Sequence, residues 1–139
     1  MSAAPVFFVT PRHGSANSTG SANSDKTRAT ANNLATVVAG VAAGTIIERV
    51  TIAQNGTGAS TANNIARFYI HDGTNFDLVH EVIPSVGAVT PSATVIGIRF
   101  TVPELVGFKL PSASHSLRVG FSAAAAGDTF TIAAQVADA

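Results

Sequence analysis

The chain has 139 residues, enough for one domain with a modest core, and 46% of them are hydrophobic, which excludes a wholly disordered chain. Only 12% are charged, against roughly 25% in an average soluble domain, and the eight basic side chains balance the eight acidic ones. Zero net charge without a Lys/Arg cluster argues against a nucleic-acid partner and suits a subunit held in an assembly better than one diffusing alone.

There are no cysteines, so disulfide and thiolate–metal frameworks are ruled out. The longest nearly apolar stretch, Val37 to Ile47, falls short of the roughly 20 residues that span a bilayer, and no membrane partner is expected. Met1 to Thr10 lacks the basic start and long apolar core of a signal peptide, so export by that route is not expected.

Along the chain, the first feature is Val6-Phe7-Phe8-Val9, bracketed by Pro5 and Pro11. Aromatic and β-branched residues between prolines suggest a short extended anchor. Two placements fit it: a sheet edge or groove on a partner, or a terminal strand of its own domain. Residues 14–33 follow, almost wholly Gly, Ser, Ala, Asn and Thr, with a near-repeat at Gly14–Ser18 and Gly20–Ser24. Such a stretch has little to bury and reads as a flexible tether. The expected division is therefore an extended arm, 1–33, and a folded domain, 34–139.

From Leu34 the pattern is short strands between Gly, Pro, Asn and Asp. Leu34–Ala39 opens the series. In Thr45–Gln54, Ile46, Val50 and Ile52 alternate with Arg49 and Thr51. Asn55-Gly56-Thr57-Gly58 marks a turn. Ile65–His71 places Ala66, Phe68 and Ile70 on one face, and Asp72-Gly73-Thr74-Asn75 turns the chain into Phe76–Ile83, which Pro84 stops. After a loop at 84–94 come Val95–Val102 and Phe108–Leu110. Leu117, Val119 and Phe121 form one inward face, and Phe130, Ile132, Ala134 and Val136 the last, with a turn through Ala124–Asp128 between them. No segment holds a capped helical period. About eight strands on this pattern predict an all-β, antiparallel two-sheet sandwich of jelly-roll type.

The residues carry little sign of chemistry. There is no Gly-x-Ser-x-Gly elbow for a serine nucleophile, and no enzyme is expected. His71 and His80 flank one hairpin, with Asp72, Asp77 and Glu81 nearby, but a zinc site needs a third ligand, and cross-strand pairing on a polar hairpin explains them better. Asp72–Asp77 fails the calcium-loop spacing, because Phe76 stands where an oxygen donor is required. No cofactor or metal is expected. Glu48, Glu81 and Glu104 are the glutamates from which paired carboxylates would have to come. Glu48 shares strand parity with Ile46, Val50 and Ile52, and a carboxylate on that inward face needs a partner or a raised pKa; more often such a residue sits at a sheet rim, paired with an arginine such as Arg67 or Arg99.

One series of positions is familiar. It runs Val41-x-x-Gly44-Thr45-Ile46, Val50-x-Ile52, Phe68-Tyr69-Ile70-His71-Asp72-Gly73, Leu78-x-x-Glu81-Val82-Ile83-Pro84 and Pro91-Ser92. It ends with Leu110-Pro111-Ser112, Leu117-Arg118-Val119 and Gly127-Asp128-x-Phe130. This order resembles small virion structural proteins of tailed bacteriophages, including capsid decoration (cement) proteins, over residues 34–139. The resemblance implies a β-sandwich subunit that oligomerises, often as a trimer, on the major capsid protein of a shell. It implies a place on the capsid surface of a virion assembled in the host cytoplasm, and no catalytic residue. A receptor- or glycan-binding module of a tail or fibre is the competing expectation, because jelly rolls serve lectins as readily as capsids.

Overall fold

A computed structural model describes residues 7–18, 21–54, 64–84, 99–124 and 130–139. Among these there are nine strands: β1 (Thr10–Asn17), β2 (Ala35–Ala39), β3 (Thr45–Gln54), β4 (Ala66–His71), β5 (Phe76–Val82), β6 (Arg99–Thr101), β7 (Lys109–Leu110), β8 (Ser116–Phe121) and β9 (Phe130–Asp138). The one helical element is a 3-10 turn at Pro103–Leu105. Two antiparallel sheets result. Sheet A has the order β1-β9-β3-β6, with β7 also paired to β3, and sheet B has the order β2-β8-β4-β5.

The pairing has a simple logic. Strands from the first half of the chain pair with strands from the second half in reverse order: β1 with β9, β2 with β8, β3 with β6 and β7, β4 with β5. That is one long hairpin, rolled until its two faces meet, and it is the expected jelly-roll sandwich.

The expected alternations build the core, except that Ile47 takes the inward place expected of Ile46. Phe68, Leu117, Val119 and Phe121 of sheet B meet Ile47, Val50, Ile52, Phe130, Ile132, Ala134 and Val136 of sheet A, all 0–1% exposed. Phe121 and Phe130 stack across the middle at 5.4 Å. Each such side chain contributes roughly 1.5–3 kcal/mol by leaving water.

Three expectations need correction. The described part of residues 14–33 is not a tether. The segment Thr10–Asn17 pairs residue for residue with β9, from Thr10↔Asp138 to Asn17↔Thr131. Residues 21–33 fold back on sheet B, as described below. The roll therefore begins inside the expected arm, and the expected boundary at 33/34 separates β1 from the sheet it completes. Polar, small residues suffice here because β1 is an edge strand, and β9 offers a full ladder of backbone donors and acceptors.

The second correction is in β3. The register slips between Ile47 and Arg49, which pair with consecutive residues Val136 and Gln135. Glu48 is the extra residue of a bulge, and the bulge resets strand parity. Ile47 is buried, Ile46 is only half-buried, and Glu48 is exposed, so its carboxylate needs no inward partner. Arg67 pairs with Glu81 instead, at 3.0 Å.

The third concerns the cross-strand pairing of His71 and His80, whose partners are aromatic residues and not polar ones: His71 lies opposite Phe76 and His80 opposite Phe68. The turn between their strands forms as expected, with the Asp72 carboxylate accepting the Thr74 and Asn75 N–H groups at 2.8 and 2.7 Å and Gly73 at φ +98°. The expected turn at 55–58, all but Ala124 of the turn at 124–128, and the first half of the expected strand 95–102 lie outside the described residues.

Candidate interaction surface

The two sheets treat their outer faces differently. On sheet B the alternation that buries Phe68 turns Arg67, Tyr69 and His71 outward. Residues 21–33 lie across them. The backbone N–H of Asn23 donates to the Phe121 carbonyl at 2.7 Å, and its side-chain Oδ1 accepts the Tyr69 hydroxyl at 2.9 Å. Arg67 donates to the Asn23 carbonyl at 2.6 Å, and Lys26 reaches Glu81 at 3.0 Å. The Phe76 N–H donates to the Arg28 carbonyl at 2.7 Å. Gly120 makes the approach possible, because a Cβ there would stand 2.9 Å from the Asn23 Cβ and 2.7 Å from Leu34. Asn23 and Tyr69 are consequently 1% and 0% exposed. Burial pushes the Tyr69 hydroxyl above its ordinary pKa.

The outer face of sheet A carries no such cover among the described residues. Its side chains fall in three rows set by the register: His13, Gln135 and Arg49; then Ser15, Ala133, Thr51 and Thr101; then Asn17, Thr131, Ala53 and Arg99. The middle row is built from small residues, and the larger His13, Gln135, Arg49 and Arg99 stand in the rows on either side. His13, Arg49, Thr51, Arg99, Ala133 and Gln135 enclose a depression of about 160 Å³.

At one end of the sheet the expected anchor leaves the roll. Val6 lies outside the described residues. The Val9 N–H still donates to the Asp138 carbonyl at 3.0 Å, so the ladder runs out just there. Phe7 and Val9 are 69% and 73% exposed. Phe8 is half-buried against Ala43, Gly44 and Pro111, with the Lys109 ammonium 5.5 Å from its ring centroid. The anchor is thus fastened at its root and presented at its tip, and only Phe8 of the three described residues finds apolar cover. Val106 and Phe108, in the stretch leading into β7, are also exposed.

Beneath the anchor, the two sheets are tied by Arg12. Its guanidinium grips Asp138 with two hydrogen bonds, 2.8 and 3.0 Å, and donates to the Ala39 carbonyl of β2 at 2.6 Å. The Thr45 hydroxyl adds a 2.6 Å bond to the same carboxylate. The Arg12 and Thr45 bonds hold the Asp138 carboxyl below the usual range. Nearby, a Cβ on Gly14 would meet the Val37 carbonyl and come within 2.8 Å of the Val38 Cβ, so β1 crosses β2 at a distance only glycine permits.

The residues weighed for chemistry are dispersed. Among the described residues no three His, Asp or Glu side chains gather into a metal-binding group. His80 sits 3.7 Å from Glu104. His71 stacks on Phe76 at 4.3 Å, and its Nδ1 is buried with no hydrogen-bond partner. Desolvation, and then the nearby Arg118 charge, push its pKa down.

No protein-family model matches the chain. No curated protein matches it. Among solved structures the chain is similar to a cyanophage Pam1 capsid asymmetric unit, at 16% identity and a TM-score of 0.47, covering 100% of this chain and 94% of that one.

Proposed function

We propose that the chain is a structural subunit of a phage virion, a decoration or cement protein that binds the outer surface of the head and clamps adjacent capsomers. The observation that carries this reading is the exposure of Phe7 and Val9 at the root of β1. A freely diffusing protein with zero net charge gains nothing from presenting an aromatic tip to water and risks aggregation. A subunit that inserts the tip into a neighbour gains about 2–3 kcal/mol for each phenylalanine fully covered. The sequence resemblance over residues 34–139 supports the same role.

The action is adhesive. Each contact is weak, but a trimer bound at several points gains avidity through effective concentration, and Val6–Val9 extends each footprint toward the next shell subunit. Tyr69, the sole tyrosine, is fully buried and offers no stacking platform to a glycan. The test is a pair of head preparations, with and without the protein. Binding only to the assembled shell raises its apparent stability, so heads lacking the protein should rupture at lower temperature. Equal rupture temperatures, with loss of adsorption to cells, would transfer the protein to the receptor-binding class.

A further inference from the structure

We propose that the open face of sheet A recognises carboxylates, and that its occupant is an acidic polypeptide segment of the surface on which the protein docks. The identity of that surface as a shell rests on the virion reading above; the chemistry does not.

Arg49 and Arg99 stand on adjacent strands, four residues apart by register, or about 13 Å along the strand. Both side chains nonetheless line one depression over Thr51. Neither has an ion pair or hydrogen bond among the described residues. Among the described residues Lys109 and Arg118 also lack a carboxylate partner, but Lys109 lies over the Phe8 ring and Arg118 donates to the Ser116 hydroxyl and lies over the Phe76 ring. Arg12, Lys26, Arg28 and Arg67 all have carboxylate partners. Two arginine side chains lining one hollow surround it with positive charge, and a carboxylate seated there accepts charge-assisted hydrogen bonds from a guanidinium group. The exposed Gln135 amide lies beside them as a further neutral donor. The row Ser15, Ala133, Thr51 and Thr101 presents no bulk that would keep a flat segment away.

A nucleic acid fits less well. Phosphate tracking requires a stripe of cations that displaces many counterions, whereas this face offers two arginines and one histidine, with Glu48 adjoining His13 at its margin.

The test uses the full-length protein, first with a synthetic peptide alternating Glu and Ala, followed at low salt by amide chemical shifts. Shifts clustered at Arg49, Arg99 and Gln135 are expected, with at least a tenfold loss of affinity in the double variant Arg49→Gln/Arg99→Gln. Arg118→Gln, on the other sheet, should leave binding unchanged, and Arg49→Lys/Arg99→Lys should retain part of it. Equal loss in the Arg118 variant, no loss in the double variant, or tighter binding of a DNA duplex than of the peptide would each overturn the proposal. A second arm measures sedimentation with heads lacking the protein. If the wild type fails to bind heads, the virion reading fails while the peptide result stands. If the wild type binds and the double variant binds equally well, the acidic docking face is wrong and the virion reading survives.

Discussion

The Tyr69 hydroxyl donates to Oδ1 of Asn23 at 2.9 Å, joining residues 46 positions apart in the chain. The same asparagine amide donates to the carbonyls of Asp25 and Asn32, at 2.9 and 2.6 Å. A residue in a stretch that reads as a tether is thus the polar keystone of one sheet's outer face. Asn23→Ala should destabilise by about 2–3 kcal/mol, since it strands a buried hydroxyl, while Tyr69→Phe should cost only about 1 kcal/mol. Urea unfolding of the two variants measures both; equal and negligible losses would mean the cover is ornamental.

Truncation separates the two roles of the N-terminal third. Deleting residues 1–9 removes the anchor and one backbone bond, and should leave a cooperatively melting roll within a few degrees of the full chain. Deleting residues 1–33 removes β1 and the cover of Tyr69 and exposes the edge of β9. That chain should aggregate or lose its cooperative transition. Calorimetry of the two truncations decides it, and a stable, soluble 34–139 fragment would restore the tether reading.

Why the sequence conceals this is instructive. Strand patterning reports side-chain burial, so β8 and β9 were legible from Leu117, Val119, Phe121 and Phe130, Ile132, Ala134, Val136. In β1 the stabilisation lies in the backbone ladder to β9, which leaves no apolar trace in His13-Gly14-Ser15-Ala16-Asn17. Glu48 misled for a different reason, because a bulge shifts parity without changing composition. A signal for the cover did exist: Arg67 and Tyr69 must point outward if Ala66 and Phe68 point inward, and an outward tyrosine calls for shelter. The basic depression was not legible, since Arg49 and Arg99 are 50 positions apart and meet only through the β3–β6 pairing.

Gly14 provides a sharp packing test. Gly14→Val would drive a side chain into the Val37 carbonyl and the Val38 side chain, and overpacking of this kind costs about 1–3 kcal/mol. Ser15→Val, one residue along on the open face, should cost far less. Thermal melts that show the two alike would contradict the close crossing of β1 over β2.

Stability should fall with acid in two stages. Desolvation, and then the Arg118 charge, hold the folded pKa of His71 below the ordinary 6.5. The unfolded chain then binds the extra proton first, and stability declines as pH drops through that value toward the folded one. The Asp138 carboxyl is depressed below 3.8 by Arg12 and Thr45, so its contribution is present above 3.8 and lost as pH falls through the folded value. Melting temperatures from pH 8 to 3 should show both limbs. His71→Phe should flatten the upper limb only, and Arg12→Gln should weaken the lower one.

The most direct measurement is co-sedimentation of the full-length protein with phage heads that lack it, comparing wild type with Phe7→Ala/Phe8→Ser. The wild type should bind saturably and raise the temperature at which the heads rupture, and the double variant, still folded by its melting transition, should bind at least tenfold more weakly. A wild-type protein that stays in the supernatant, or heads whose rupture temperature is the same with and without it, would contradict a cementing role.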